Sequence, residues 1–185
     1  AAMAGAPYEL EHRIVVNGEV KWVQERAELE FDAAGRLLRG VGTVFDITGR
    51  KLAEDRLRLA GSVFESTHEG VTIADASGKI LDVNPAFCDI TGYSREEVLG
   101  KNPSILRSDR QGPEFYEAMW QAILGRGYWR GEIWNRRKDG EIYPEFLTIS
   151  AVRDAQGAVS HFVGVFADIS QLKQHERQLE RMAHY

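Results

Sequence analysis

The sequence predicts an α+β chain in which antiparallel strands flank a block of helices. Three observations carry this. Short strand-like runs are separated by turn residues such as Asn17-Gly18, Ala76-Ser77-Gly78 and Asp139-Gly140. Between Asn84 and Gly125 the pattern becomes helical, with cap and stop residues at its ends. Residues 18–57 also align without a gap on residues 140–179, at a constant offset of 122 (140 − 18). Gly18-Glu19 repeats as Gly140-Glu141, Asp32-Ala33 as Asp154-Ala155, Val41-Gly42 as Val163-Gly164 and Asp46-Ile47 as Asp168-Ile169. Lys51, Glu54 and Leu57 return as Lys173, Glu176 and Leu179. A register kept through two turns implies the same hairpins twice. Only 17 residues precede the first copy, whereas a full domain's length precedes the second.

The elements follow in order. Glu11 to Val16 and Glu19 to Phe31 make a hairpin about Asn17-Gly18, the strongest short turn signal. The turn Asp32–Gly35 leads to a strand from Leu37 to Phe45, and Thr48 can cap a helix. From Gly49 to about Glu65, Ala53, Leu57, Ala60 and Phe64 share one helical face. Strands are expected at 70–75 and 79–83. Asn84-Pro85 opens a short helix that Thr91-Gly92-Tyr93 ends. Ser94 with Glu97 forms a capping box, and that helix stops at Gly100. An irregular loop spans 101–112, and Pro113 opens a helix to about Gly125. Strands at 128–137, 141–153 and 158–167 precede a last helix. With one antiparallel sheet and a helical insert, the second module is an α+β domain.

Bulk properties exclude several classes. The 185 residues allow one domain or a little more, and the single Cys88 excludes an internal disulfide and suits a reducing, cytoplasmic setting. No apolar run approaches the roughly 18–20 residues that span a bilayer, so no membrane contact is expected. The start, AAMAGAP, reads as an expression remnant or a cut within a longer protein. A net charge of −5 argues against nucleic acid. Arg136-Arg137-Lys138 reads as a solvated hairpin end. The five His show no metal-ligand spacing, and no Ser-His-Asp or phosphate-cradle pattern appears, so no enzyme is expected. Side-chain alternation puts Trp129, Gly131, Ile133 and Asn135 on one strand face and Glu145, Leu147, Ile149 and Ala151 on another. An Asn and a carboxylate on such apolar faces need partners. These are each other, a backbone group or water, or else the polar edge of a ligand.

Several motifs then carry a resemblance. Asn84-Pro85-Ala86-Phe87, Thr91-Gly92-Tyr93, Glu96 to Gly100, Asn135 to Gly140 and Gly164 to Ser170 together resemble a PAS domain with its C-terminal PAC motif. The match is complete over about 62–168 and covers 1–48 as the C-terminal half of an earlier PAS domain. Residues 49–65 would be a linker helix and 169–185 a signalling helix. The resemblance implies a five-stranded antiparallel sheet with helices over one face, and sensing, dimerisation or relay rather than catalysis. Gln178 to Tyr185 resembles the connector that enters diguanylate cyclase (GGDEF) domains, which implies cyclic-di-GMP signalling, with a histidine kinase as the other output.

For the pocket, the resemblance to FAD-binding redox PAS domains implies Asn84, Arg107, Trp120, Trp129, Asn135 and Glu145 as cofactor-binding positions. FAD is the candidate cofactor, and an empty pocket in a relay spacer is the alternative. For Trp120 and Trp129 the competing role is core packing. Compared with light-sensing (LOV) domains, Pro103 stands where the reactive Cys belongs, and Phe166 stands where the ring-sensing Gln belongs. Thiol adduct chemistry is therefore excluded. Haem is disfavoured, because residues 101–127 hold no His. Asp168 and Ser170, repeated as Asp46 and Thr48, are the expected signal relay, with Ser170 as helix cap. Leu172 and Leu179 lie one heptad apart with Met182 beyond, which predicts a homodimer through the flanking helices. Residues 8–48, lacking covering helices, should be poorly ordered or paired with a second chain, with Val20, Trp22 and Leu29 wet.

Overall fold

The Asn17-Gly18 turn is what its sequence demands: both residues have positive φ, 52° and 84°, which matches the twist of a two-residue hairpin. In the computed structural model, which describes residues 3–4 and 8–183, this hairpin joins β2 (Tyr8–Val16) to β3 (Glu19–Phe31). A short strand β1 (Met3–Ala4) also pairs with β3, as does β4 (Leu37–Asp46). Most of the opening AAMAGAP and the final His184-Tyr185 of the tail motif lie outside the described residues. Helix α1 (Thr48–Ser66) follows. By contacts the chain divides into two compact units, Ala1–Gly61 and Ser62–Tyr185.

Of the two states expected for the first unit, poor order or pairing with a second chain, poor order is not seen. Residues 8–46 form paired strands, with a register shift between Glu30 and Phe31. Val20 is exposed, but Trp22 and Leu29 are half-buried. Lys51 and Arg13 stand 5.3 and 5.7 Å from the Trp22 ring. Their side chains cover it and add cation–π attraction. Val23 and Ile47 are the buried apolar residues of this unit. Leu37, Val41, Val44 and Phe45 along β4 remain more than half exposed.

In the second unit, β5 (Gly70–Asp75) and β6 (Ile80–Val83) precede helices α2 (Pro85–Thr91) and α3 (Arg95–Val98). Then come a 3-10 turn at Pro103–Leu106, helix α4 (Pro113–Arg126), strands β7 (Tyr128–Arg136), β8 (Ile142–Arg153) and β9 (Val159–Asp168), and helix α5 (Ser170–Ala183). The sheet order is β6-β5-β9-β8-β7, all antiparallel. The local signals act as read. Pro85 and Pro113 open their helices, Gly92 and Gly127 end them at φ 79° and 92°, and both halves of the Ser94–Glu97 capping box are made. Ile80, Val83, Phe87, Val98, Leu106 and Phe166 form the core between sheet and helices. The sequence reading missed the 3-10 turn and β1.

The repeat holds from β3 onward but not at its first turn. There Asn17-Gly18 closes a two-residue loop between Val16 and Glu19, and the second copy has a three-residue loop between Arg137 and Glu141. Val23 pairs with Asp46 as Glu145 pairs with Asp168. Asp32 accepts from the amides of Ala34 and Arg36 as Asp154 accepts from Gln156 and Ala158. The Ile47 amide donates to the Trp22 carbonyl as that of Ile169 donates to Pro144.

Candidate functional site

A cavity of about 130 Å³, open at its mouth, lies between the sheet of the second unit and its helices. Its floor comes from alternate positions of four strands. Thr72 and Ala74 stand on β5, Ile133 and Asn135 on β7, Glu145, Leu147 and Ile149 on β8, and Phe162 and Phe166 on β9. Its roof is the 3-10 turn, Arg107, and the face of α4 that carries Tyr116, Met119 and Trp120 at three- and four-residue spacing. An isolated bridge between Arg107 and Asn135 ties the roof to β7, and the Ser108 hydroxyl donates to the Trp134 carbonyl.

The polar edge of this space is small and deeply buried. β7 and β8 pair Ile133 with Glu145 and Asn135 with Tyr143, so Asn135, Tyr143 and Glu145 meet on one face. Asn135 Nδ2 donates to Glu145 Oε1 at 2.8 Å, and the Tyr143 hydroxyl donates to Oε2 at 2.6 Å. Glu145 is 1% exposed. Burial pushes its carboxyl up to about 7, although both hydrogen bonds favour the charged form. Burial and the Glu145 charge push the Tyr143 hydroxyl up as well. Asn135 and Glu145 thus bond one another. The Asn135 amide oxygen keeps no hydrogen-bond partner among the described residues, and the buried Tyr116 hydroxyl also has none. The Arg107 guanidinium lies 4.0 Å over the Tyr116 ring. Trp120 meets Phe162 edge-on at 5.3 Å. These residues suit a planar ligand with a polar edge. No cysteine lines the space, and Pro103 and Phe166 do.

Two expected site residues sit elsewhere. Asn84 is fully buried but faces away from the space. Its oxygen accepts from the amides of Val71 and Phe87, and its NH2 donates to the carbonyls of Phe64 and Glu69. With both donors and both lone pairs used, nothing remains for a ligand. Trp129 does not line the space either; it lies over Gly131 and packs edge-on against Phe115 at 5.6 Å.

The basic hairpin end is solvated only in part: Lys138 is exposed, but Arg137 is not. The Arg137 side chain is 16% exposed. It donates to the Ile90 carbonyl at 2.6 Å, pairs with Glu141 and Asp168, and lies 3.9 Å over the Tyr143 ring. The Lys138 amide donates to the Thr91 carbonyl and its ammonium pairs with Glu97. Sequence reading missed Arg137 and Tyr143; alternation from Glu145 places Tyr143 on the same face and could have found it.

At the exit, Asp168 rather than Ser170 caps α5. Asp168 Oδ1 accepts from the Ser170 amide at 2.8 Å and from its hydroxyl at 2.6 Å. The hydroxyl is a donor here because a carboxylate two residues back is the stronger acceptor. Burial would raise the Asp168 carboxyl, but the bonds from Ser170 and Arg137 outweigh it and hold it below the usual range. Leu172, Leu179 and Met182 along α5 are exposed.

Comparison with known proteins gives a consistent picture. The family model described as PAS fold matches residues 61–169. The chain is 38% identical over 109 residues to a nitrogen fixation regulatory protein of Klebsiella oxytoca, covering 59% of this chain and 22% of that protein. It is 28% identical over 161 residues to blue-light-activated histidine kinase 1 of Erythrobacter litoralis (strain HTCC2594), covering 85% of this chain and 43% of the kinase. The chain therefore spans about a fifth of the regulator and less than half of the kinase. The solved PAS domain of a Colwellia psychrerythraea protein superposes with a TM-score of 0.60 at 23% identity, over 63% of this chain and 99% of that one. Among the described residues no helix is long and apolar enough to cross a membrane, and no group of His, Cys, Asp and Glu could hold a metal ion.

Proposed function

The chain belongs to the PAS fold family, and we propose that residues 62–168 sense a planar small molecule, or a redox cofactor such as FAD, and relay its state through α5. The observation that carries this is the buried edge of Asn135 and Glu145 beside an unpartnered Tyr116 hydroxyl. A cavity with a few convergent polar groups is the usual form of a ligand site. When bound, FAD would supply reversible redox chemistry. Asn135, Glu145, Arg107 and Trp120 would hold and orient it.

The test is the absorption spectrum of the freshly purified protein, with Asn135→Ala beside it. Flavin bands at roughly 370 and 450 nm in the parent, lost in a variant with an unchanged circular dichroism spectrum, are the expected result. A colourless parent whose Asn135→Ala variant loses about 1–3 kcal/mol of stability instead indicates that the amide serves the fold. That outcome would leave the domain as a ligand-free relay and dimerisation spacer.

The first unit reads as the C-terminal half of a preceding PAS domain, because β3 and β4 keep the register of β8 and β9. On this reading 1–48 is the partial domain, 49–65 the linker helix and 169–185 the signalling helix. Exposed Leu172, Leu179 and Met182 support parallel pairing of α5 in a cytoplasmic homodimer. For the output domain, the similarity to a blue-light-activated histidine kinase favours a kinase. A diguanylate cyclase rests on the tail motif alone.

The Asp168-Ile169-Ser170 joint is the outlet. Asp168→Ala removes the α5 cap and a partner of Arg137. In the intact protein it should change basal or stimulated output while dimer content in light scattering stays the same. Unaltered output with an intact dimer would reduce the joint to a strand end.

A further inference from the structure

The geometry points to Glu145 as a proton-binding site whose occupancy is transmitted through Tyr143, Arg137 and Asp168 to the first turn of α5. The side chains form an unbroken series. The Glu145 carboxylate accepts from Tyr143, the Tyr143 ring carries the Arg137 guanidinium at 3.9 Å, Arg137 pairs with Asp168 Oδ2, and Asp168 Oδ1 holds the Ser170 amide. The backbone reinforces the series, since Glu145 and Asp168 are directly paired across β8 and β9. Glu145 is 1% exposed, and no cation bonds it directly. A carboxylate in that setting gains by binding a proton.

The charged and titratable groups around Glu145 come from every neighbouring element. They are Arg137 after β7, Tyr143 on β8, Asp168 on β9, Arg107 on the roof and Tyr116 on α4. In the charged form, Arg137 is attracted by both Glu145 and Asp168, and the two carboxylates repel. One proton moving from solvent to a free lone pair of Glu145 removes one negative charge and no electrons move. The Tyr143 bond then loses its charge assistance. Arg137 is left to Asp168 and Glu141, and Asp168 holds the helix start more firmly. The first turn of α5 is therefore tighter when Glu145 is protonated.

The relay part rests on the reading of the Asp168 joint as the outlet, but both readouts below are internal to the chain and need no bound ligand. The carboxyl carbon of Glu145 is followed by NMR in protein with labelled glutamate. Hydrogen exchange of the Ser170 to Lys173 amides, corrected for intrinsic rates, is followed over the same pH range. In the parent, the Glu145 resonance should titrate above all other glutamates, and protection of the first turn should fall several-fold from pH 6 to 8. In Tyr143→Phe, Glu145 should still titrate while the protection no longer follows. In Glu145→Gln the protection should be flat. A Glu145 midpoint among the ordinary glutamates overturns the proton site. Protection that ignores pH in the parent, or follows it equally in Tyr143→Phe, overturns the transmission.

Discussion

Replacing Asn84 with Ala should cost about 3 kcal/mol or more of folding stability, the larger of the losses expected among the residues the family resemblance marks as ligand contacts. Four main-chain groups depend on this one side chain: the amides of Val71 and Phe87 and the carbonyls of Phe64 and Glu69. Each buried group left without a partner costs about 1–3 kcal/mol, with partial relief where water enters. Loss of the α2 cap alone costs about 1 kcal/mol. Asn84 thus joins the segment before β5, β5 itself and the first helix of the insert. Urea unfolding followed by tryptophan fluorescence measures the effect. A midpoint within error of the parent would show that water replaces all four bonds.

The contrast between Asn84 and Asn135 shows what the sequence could and could not say. Both are Asn in motifs of the family, and both are buried. Only the tertiary path decides that one is a clasp for main-chain groups and the other faces a cavity. Local signals were legible because their physics is local. The Asn17-Gly18 and Asp139-Gly140 turns, the prolines at helix starts and the Ser94–Glu97 box each fix their own few residues. The repeat was legible at long range because one register, written twice, keeps the same bonds around Asp32 and Asp154 and the same pairing at Asp46 and Asp168. Arg137 was misread as solvated. Its charge predicts exposure, whereas its partners Ile90, Tyr143 and Asp168 come from three different elements. The buried edge was half legible. Alternation put Asn135 and Glu145 on inward faces, but the Tyr143 bond that completes the carboxylate needed the third dimension.

Glu145→Gln should stabilise the protein, and only at the alkaline end of the neutral range. Burial raises the Glu145 carboxyl from 4.5 to about 7 in the folded chain. Below pH 4.5 the carboxyl is protonated folded and unfolded alike, and pH does not act through it. Between 4.5 and about 7 the unfolded chain releases the proton and the folded chain retains it, so stability falls as pH rises. Above about 7 the full cost of a buried charge is present, on the order of 3 kcal/mol. The opposite sign holds for Asp168, whose carboxyl is held low by Ser170 and Arg137 and which loses stabilisation only in acid. Gln keeps the shape of Glu145, can accept from Tyr143 through its oxygen, and carries no charge. An amide turn at Asn135 restores the second bond. Urea midpoints should therefore nearly coincide for parent and variant at pH 4.5. At pH 8.5 the variant should be the more stable by up to about 3 kcal/mol. A difference of equal size at both pH values would place the effect in packing rather than in charge. A less stable variant at pH 8.5 would mean that the carboxylate is held by its neighbours more strongly than burial disfavours it.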